Sequence, residues 1–519
     1  MKSFLQRFGS LVLGVLQGFD RLRFRGSKRQ LCHVSGMMSW LGHCRILLKD
    51  YKAYAHDTTV TLCRAIQEPA EQDGLYRYLN DSTTSKEEEA LRLAAQHGRT
   101  QGLVAVIGCV EPCRIMQVRG NRQTKRLELH VESGKCKHYY HYYLDPDHGL
   151  RYTRLQTWFP FTMHMGLNGR DWLAQQLTQA GIGFTKQDNC FPWIEDFAAA
   201  QRLADAQQTT AWPALLNGWA QQSQPWAELL PCPVPYYWSV ETAEYATDFA
   251  FRSAADLAGI YPLLVQHAYA TLQSTDLLRF MGYRVRADGK PYANLAGEVT
   301  TRIKELVAGT CVKHQVLLNL LKMYDKFGCV LRLEALLRMV RDFKVYRSRE
   351  GDPDGPKSYL RMRQGVADLH GRAEVSRRIT ERYAESLATV EDKTPLSELT
   401  KDLGQRQKLN GRSVRALNPL APADVALLEA VSRGEFLISG FRNRDLRPLL
   451  FGEAQPAAPA EAKRQAARVT RLLRLLRAHG LITRNGNSHR NKLTEKGRRS
   501  LSALLAARQA NTKQLLQAA

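Results

Sequence analysis

The segment 76–110 constrains the fold most strongly, because it predicts two parallel strands joined by a helix. Tyr76–Leu79 has the residues of a short strand, and Leu103–Val110 is apolar enough for a buried one. Between them, Ser85 and Glu88 have the spacing of a capping box, which begins a helix. Parallel strands need a crossover of this kind, so we predict a βαβ unit here.

A further strand is predicted at Phe19–Gly26, where apolar and basic residues alternate strictly. Leu22 and Phe24 fall on one face and three arginines on the other, which is typical of a strand buried on one side. Three arginines on one face repel one another unless an anion meets them. This face is therefore either a solvated surface or a contact for phosphate groups. The three are Arg21, Arg23 and Arg25.

The rest of the main body predicts a mixed α/β fold of the α+β class with a β-hairpin in its core. Residues 114–168 are expected to be rich in strands, and 195–300 are rich in alanine and expected to be mainly helical. A hairpin is indicated at 316–337. The main body is predicted to span 1–395, either as one domain or as two subdomains that divide near 170–240.

The main domain boundary is predicted at 396–422. Pro395, Pro419 and Pro422 mark this stretch, together with many polar residues. A second flexible connection is expected at 453–462, with the sequence EAQPAAPAEA.

Residues 423–519 predict three helices, a two-stranded hairpin and a final helix. The first two helices are expected at 423–433 and 441–450. The third, at 464–479, has an apolar stripe at helical spacing and stops at Gly480. Short strands flank the turn-forming hexapeptide NGNSHR at 485–490.

This order of elements, the run LLRLLRAHGLI and the closing LTEKGRR resemble the winged-helix family. In that family the third helix usually enters the major groove of DNA. The resemblance implies a C-terminal winged-helix domain, although the connection before the third helix is longer than the usual tight turn. The alternative is a winged helix that contacts protein.

The charge balance indicates a polyanionic partner. The chain has 74 Lys and Arg against 50 Asp and Glu, a net charge of +24. Residues 406–519 hold 22 Lys and Arg against 7 Asp and Glu. Such a surplus attracts phosphate backbones, so DNA or RNA is the expected partner. The expected contacts are Arg21, Arg23, Arg25, Arg442, Arg444, Arg468, Arg471, Arg474, Arg477, Arg484, Arg490 and Lys492, with the segment Arg347–Arg382 as a further basic element.

The hairpin at 316–337 resembles the "YDK…RxE" hairpin of rolling-circle replication initiators over a short stretch. That resemblance implies a nicking or strand-transfer site formed by Tyr324, Lys326, Arg332 and Glu334. The side chains share one face only if the loop holds an odd number of residues. The alternative is a structural hairpin with an Arg–Glu pair.

The sequence contains two candidate metal sites, and a divalent metal is the only cofactor that it suggests. Cys109, Cys113, His138 and His141 have the residue types of a zinc site, or are instead buried cysteines beside a Tyr/His cluster. The two histidines stand three apart, which on a regular strand puts them on opposite faces. Replication initiators of the HUH type need them on one face, so this spacing argues against HUH chemistry.

The second candidate is a magnesium site on a helix predicted near 238–252. Glu241, Glu244 and Asp248 would share one helical face there, where acidic side chains are also common without a metal.

Other classes are less well supported. The chain has no P-loop, dinucleotide-binding, nucleophile-elbow or zinc-protease motif. Ten scattered cysteines in a long chain favour a reducing compartment. The apolar run Leu11–Leu16 is short for a secretory signal, and no stretch is long enough to span a membrane. We therefore expect a cytoplasmic protein; its oligomeric state stays open.

Nearly the whole chain also resembles a widespread family of long, uncharacterised bacterial proteins that share phrases such as FDRLRFRG, LQTWFPF and LNPLAPAD. That resemblance implies bacterial origin and no particular activity. The leading hypothesis is a nucleic-acid-binding protein of mobile-element or replication-initiator type, with metal-dependent nicking or strand transfer as an added option. The alternative is a non-catalytic protein that binds a structured RNA or regulates transcription.

Overall fold

The computed structural model describes residues 1–519 except 82, 224–228, 287–298, 307–308, 350–351, 353, 390–395, 434–435, 437–439, 453–457, 485–489 and 510–519. The chain divides into two compact units. We call 13–250 with 330–377 the sheet unit. We call 1–12, 251–329 and 378–519 the terminal unit.

The elements follow the chain in this order. The strands are β1 (Val12–Ser27), β2 (Tyr76–Tyr78), β3 (Gly102–Asn121), β4 (Arg126–Asp145), β5 (Gly149–Gln156), β6 (Met163–Asn168), β7 (Phe184–Gln187), β8 (Cys190–Ile194), β9 (Tyr237–Phe251), β10 (Val299–Leu306), β11 (Gly309–Val316), β12 (Asn319–Lys326), β13 (Val330–Leu336), β14 (Lys344–Arg347), β15 (Ser358–Arg361), β16 (Gln407–Leu409), β17 (Arg412–Val414), β18 (Ile482–Arg484) and β19 (Asn491–Leu493). The helices are α1 (Lys2–Phe8), α2 (Val34–His43), α3 (Tyr51–Gln72), α4 (Lys86–Gln96), α5 (Gly169–Gln179), α6 (Phe197–Ala206), α7 (Trp212–Gln222), α8 (Ala254–Ala270), α9 (Ser274–Phe280), α10 (Leu369–Leu387), α11 (Leu396–Thr400), α12 (Pro422–Ser432), α13 (Asn443–Phe451), α14 (Pro459–Ala478) and α15 (Glu495–Gln509). This content agrees with the α+β class.

The main sheet of the sheet unit has the strand order β13-β9-β1-β6-β5-β4-β3-β2. β2 and β3 pair in parallel and are joined through α4, as the βαβ pattern predicted. The Oγ of Ser85 accepts a hydrogen bond from the Glu88 N–H at 3.2 Å, which begins α4 at the predicted residue. The neighbouring pairs from β3 to β6 are antiparallel.

One face of this sheet carries the main core. Leu22 and Phe24 of β1 are fully buried there and belong to the same apolar cluster as Trp40 of α2, Tyr51 of α3 and Leu173 of α5. The period-two pattern that predicted β1 is therefore explained by an apolar core on one side of this strand.

The opposite face carries α4 over part of its area. Ala90, Leu93 and Ala94 of α4 form a small separate cluster with Ile107 of β3 and Tyr142 of β4. Elsewhere this face presents the arginines of β1, and we call it the arginine face.

The helix predicted near 238–252 is wrong, because residues 237–251 form the strand β9. Alanine content suggested a helix, but the second half of the segment is buried on both faces and shows no alternation. A strand covered on both sides loses the period-two signal.

In the terminal unit, residues 403–504 have an apolar core of their own. It joins Leu428 of α12, Leu446 of α13 and Val469 and Leu473 of α14. The five C-terminal elements predicted from the sequence all occur, within a few residues of the expected limits.

The stretch 396–422, predicted to be a linker, carries α11 and the hairpin β16–β17. Leu403 and Leu417 are buried in the C-terminal core, and the Leu417 N–H donates to the Leu403 carbonyl at 2.8 Å. These two apolar side chains explain why a segment rich in proline and polar residues is ordered.

Candidate nucleic-acid interface

The arginine face begins with β1. Arg21, Arg23 and Arg25 are exposed, while Leu22 and Phe24 between them are buried. The strand therefore presents three guanidinium groups on one side, at a spacing fixed by backbone pairing with β6.

Two tyrosines lie in line with Arg23 across the sheet. Arg23 stands opposite Gly166, Gly166 opposite Tyr152, and Tyr152 opposite Tyr142. Directly opposed residues of antiparallel strands share a face. A Cβ on Gly166 would lie 2.2 Å from the Tyr152 ring, so this glycine gives the ring room beside Arg23. The ring centroids of Tyr142 and Tyr152 are 6.0 Å apart.

The next row extends the same face from Arg25. Arg25 stands opposite His164, His164 opposite Arg154, and Arg154 opposite Tyr140. Arg154 binds Glu111, with its Nε 2.7 Å from the carboxylate, so its charge is partly neutralised inside the protein.

Acidic side chains also accompany the β1 arginines. Burial raises the pKa of Glu87, and the charges of Arg21 and Arg23 partly oppose that shift. His164 donates a hydrogen bond to Glu241 at 3.1 Å, and this bond, aided by the nearby arginines, lowers the pKa of Glu241. The arginine face is therefore a mixed surface with a positive excess.

Two cavities open along it. One of about 140 Å³ is lined by Arg21, Arg23, Glu87 and Tyr142, among others. The other, of about 300 Å³, lies at the end of β1 and is lined by residues that include Arg25.

The second group of predicted contacts lies on α14 and β18. Arg468 and Arg471 are exposed, and Arg474 and Arg477 are half-buried. Burial, together with the charges of Arg484 and Arg474, lowers the pKa of Arg477. The guanidinium groups of the helix and of β18 therefore lie close enough to repel one another.

The remaining predicted contacts surround these elements. The Arg442 N–H donates to Asp445 at 2.8 Å at the start of α13, and the exposed Arg444 lies 3.7 Å from the same carboxylate. Arg490 donates to the Gly440 carbonyl at 3.2 Å, and Lys492 on β19 is half-buried. Residues 485–489 of the predicted hairpin tip lie outside the described residues.

Part of the basic segment 347–382 is paired within the protein. Arg347 and Arg363 both bind Asp368, at 3.1 Å and 2.9 Å, and Asp368 is fully buried. Arg372 is also buried and donates to Gln364 at 2.7 Å. These three arginines stabilise the fold, whereas other basic residues of the segment, such as Arg361, are exposed, so a contact of this segment with nucleic acid stays a prediction.

The predicted hairpin exists, but its turn differs from the one that a shared catalytic face requires. The turn has two residues, Phe327 and Gly328, with φ of 56° and 74°, and the Cys329 N–H donates to the Lys326 carbonyl at 3.2 Å. The four predicted side chains could share one face only if the loop held an odd number of residues, and this turn holds an even number. All four side chains of the set that the resemblance implied, Tyr324, Lys326, Arg332 and Glu334, are also buried.

Arg332 belongs to a buried polar network in the sheet unit. Its guanidinium binds both carboxylate oxygens of Asp248, at 2.6 Å and 2.8 Å, and Asp20 at 2.9 Å. Arg170 lies 3.0 Å from Asp248, and Asn189 donates to Asp20 at 2.7 Å. The charge of a buried arginine that binds two carboxylates is compensated within the protein, as a structural role requires. No local sequence pattern indicates this network, since its members come from distant segments.

The magnesium prediction fails with the helix on which it depended. On a strand, Glu241 is an odd step from Glu244 and Asp248 and faces the other side of the sheet. Glu241 binds His164, whereas Asp248 binds Arg332. Within the described residues, carboxylate oxygens of Asp20, Glu244 and Glu334 lie within 4.8 Å of one another, an arrangement that the sequence did not predict.

The structure brings together only two of the four residues of the predicted zinc set, Cys113 and His138. His138 stands opposite Cys109, and His141 is on the other face of β4, as the three-residue spacing predicted. His141 therefore cannot join the set. Cys136 takes its place, with its sulfur 3.3 Å from that of Cys113. The spacing Cys136-x-His138 was the available signal, since residues two apart on a strand share a face.

Comparisons with protein-family models, with curated proteins and with solved structures found no match to this chain. Among the described residues, no helix combines the length and apolar character needed to cross a membrane.

Proposed function

We propose that this protein binds nucleic acid and that α14 makes the principal contact. The observation that carries the proposal is the crowding of Arg474, Arg477 and Arg484 on α14 and β18, next to the exposed Arg468 and Arg471. Arginines that repel one another in the free protein gain stability when phosphate groups offset their charge.

The neighbouring elements support this role because they hold α14 firmly. The Asn443 side chain donates to the Ala466 carbonyl at 2.8 Å and to the Thr470 hydroxyl at 2.9 Å, which ties α13 to α14. An isolated backbone bridge joins Phe441 to Asn491 of β19. Three helices with a strand pair behind them are what the winged-helix resemblance implies, and in that family the third helix enters the major groove. Duplex DNA is therefore the first ligand to test.

The arginine face is proposed as a second contact. Arg21, Arg23 and Arg25 can bind phosphate groups, and tyrosines such as Tyr152 stand where unpaired bases could stack. Its acidic neighbours make this surface the weaker of the two.

We propose that the protein binds nucleic acid and that the hairpin formed by β12 and β13 is not a catalytic site. Arg332 is committed to Asp20 and Asp248, and the two-residue turn does not favour a shared site. This favours the non-catalytic alternative, a DNA-binding regulator or a binder of structured RNA, over a nicking enzyme.

Full-length protein is mixed with labelled duplex DNA, single-stranded DNA and an RNA hairpin, and fluorescence anisotropy is followed over a range of salt concentrations. We expect binding to duplex DNA with a log affinity that falls linearly with log salt, by about 0.9 per neutralised phosphate. Tighter binding to the RNA hairpin would favour the RNA alternative. Binding to none of the three at low salt contradicts the proposal.

Catalysis has its own assay. The same protein is incubated with supercoiled and single-stranded DNA and Mg²⁺ or Mn²⁺, with a Tyr324→Phe variant as the matched control. We expect no nicking from either protein. Nicking by the wild type that the variant lacks would restore the initiator hypothesis.

A further inference from the structure

We propose that the sheet unit binds one zinc ion through Cys113, Cys136 and His138. The three lie on the antiparallel pair β3–β4. The two sulfurs are 3.3 Å apart, and one ligand atom from each residue lies within 4.8 Å of the others. Ligand atoms around a tetrahedral zinc are about 3–4 Å apart, so a small closure completes the site.

The histidine supplies an independent observation. Nδ1 of His138 is 3.0 Å from the Cys136 carbonyl oxygen, which can only accept a hydrogen bond. Nδ1 therefore carries the proton, and Nε2 carries the lone pair. The residue is 1% exposed, and Nε2 has no hydrogen-bond partner among the described residues.

A buried nitrogen lone pair without a donor destabilises the folded state. A metal ion bound by Nε2 would remove this destabilisation. Metal-bound histidines commonly donate their other N–H to a backbone carbonyl, which fixes the tautomer and the ring. His138 already makes that second bond.

The ligand set points to zinc. Two thiolates and one imidazole are soft and borderline donors, which zinc accepts and magnesium does not. Glu111 stands opposite Cys136 but is engaged by Tyr140 at 3.0 Å and Arg154 at 2.7 Å. The fourth position is therefore left for water or an added ligand.

Access and position are suitable. Cys113 and Cys136 are half-buried, so an ion can reach the sulfurs from solvent. The site lies midway along a hairpin of two twenty-residue strands, where zinc would fasten the outer half to the part beneath α4.

The test uses full-length protein that is reduced, freed of metal with a chelator and then titrated with Co²⁺ and with Zn²⁺. We expect one equivalent of Co²⁺ to give the absorption of a tetrahedral thiolate site, and Zn²⁺ to displace it. Cys113→Ser, Cys136→Ser and His138→Asn should each weaken Zn²⁺ binding by more than the 10–100-fold that loss of an outer partner costs.

Two variants serve as matched controls. Cys109→Ser removes a thiol on the same face, directly opposite His138, and His141→Asn removes a histidine from the same strand. Both should keep the cobalt absorption, and circular dichroism checks that each variant is folded. Three results overturn the proposal: no thiolate-to-cobalt absorption in the wild type, loss of binding in Cys109→Ser but not in Cys136→Ser, or a Cys113–Cys136 disulfide that persists under reduction.

Discussion

The two arginine surfaces differ in what surrounds the charge. On the arginine face, the carboxylates of Glu87 and Glu241 lie near the β1 arginines and interact electrostatically with them. On α14, burial together with the charges of Arg484 and Arg474 lowers the pKa of Arg477. The sheet surface is partly neutralised by its own protein, while the helical surface keeps its repulsion.

The two surfaces should therefore respond differently to an anion. A phosphate that meets α14 relieves like-charge repulsion, whereas one that meets the arginine face must compete with carboxylates already present. We therefore expect α14 to supply most of the affinity and the arginine face to supply less.

The largest effect is expected from α14. Arg468→Ala, Arg471→Ala and Arg474→Ala together should weaken duplex binding by about 3 kcal/mol, if each loses about 1 kcal/mol of phosphate or base contact. The salt slope should become shallower by about 3. Anisotropy titrations at several salt concentrations measure both quantities.

The matched control for that variant removes three charges elsewhere. Lys49, Lys52 and Arg64 are exposed and lie on or just before α3, so their change to alanine lowers the net charge equally. An equal loss of affinity in this control would mean that total charge alone drives binding, and the comparison would fail.

Acid should weaken both units in the same pH window. Burial lowers the pKa of His141 in the sheet unit and of His314 in the terminal unit to about 4 each. Between pH 6.5 and 4 the unfolded state binds protons that the folded state does not. The free energy of unfolding therefore decreases as the pH is lowered through this range, and it levels off below pH 4. The loss is up to about 3 kcal/mol for each histidine.

Urea unfolding at pH 7 and pH 4.5 checks this expectation. His141→Phe and His314→Gln should each flatten the dependence, whatever they do to stability at pH 7. A stability that stays constant across the window would contradict neutral buried histidines in both units.

A smaller effect is expected from the arginine face. Arg23→Ala with Arg25→Ala should weaken binding by about 1 kcal/mol, roughly fivefold, because Glu87 and Glu241 already offset part of the charge. Binding is measured on duplex and single-stranded DNA, with thermal unfolding as the check of folding. A loss as large as that of the α14 variant would reverse the order of the two surfaces.

The smallest effect is expected when an acidic side chain of the arginine face loses its charge. Glu241→Gln should raise affinity by a few tenths of a kcal/mol, since the side chain is 43% exposed and solvent screens its charge. Salt titration of the variant should show a slightly steeper slope. Unchanged or weaker binding would mean that phosphate does not approach this face.

Features that depend on neighbours along the chain could be predicted from the amino-acid sequence. The alternation at 19–26 gave β1 and its exposed arginines, the Ser85 cap gave the start of α4, and the stripe at Val469–Leu476 gave α14. Each signal lies within one element, where backbone geometry fixes which side chains share a face.

Features that depend on distant segments could not be predicted, because only folding brings those segments together. The second half of the strand β9 is covered on both faces, and this coverage erased its local pattern. Arg332 left the predicted catalytic set because Asp20, 312 positions away in sequence, binds it inside the sheet unit. Cys136 lies beside Cys113 because the antiparallel pairing of β3 with β4 brings these two sulfurs together. A buried charge or a thiol takes its role from the partner that folding brings to it, and local sequence carries no record of that partner.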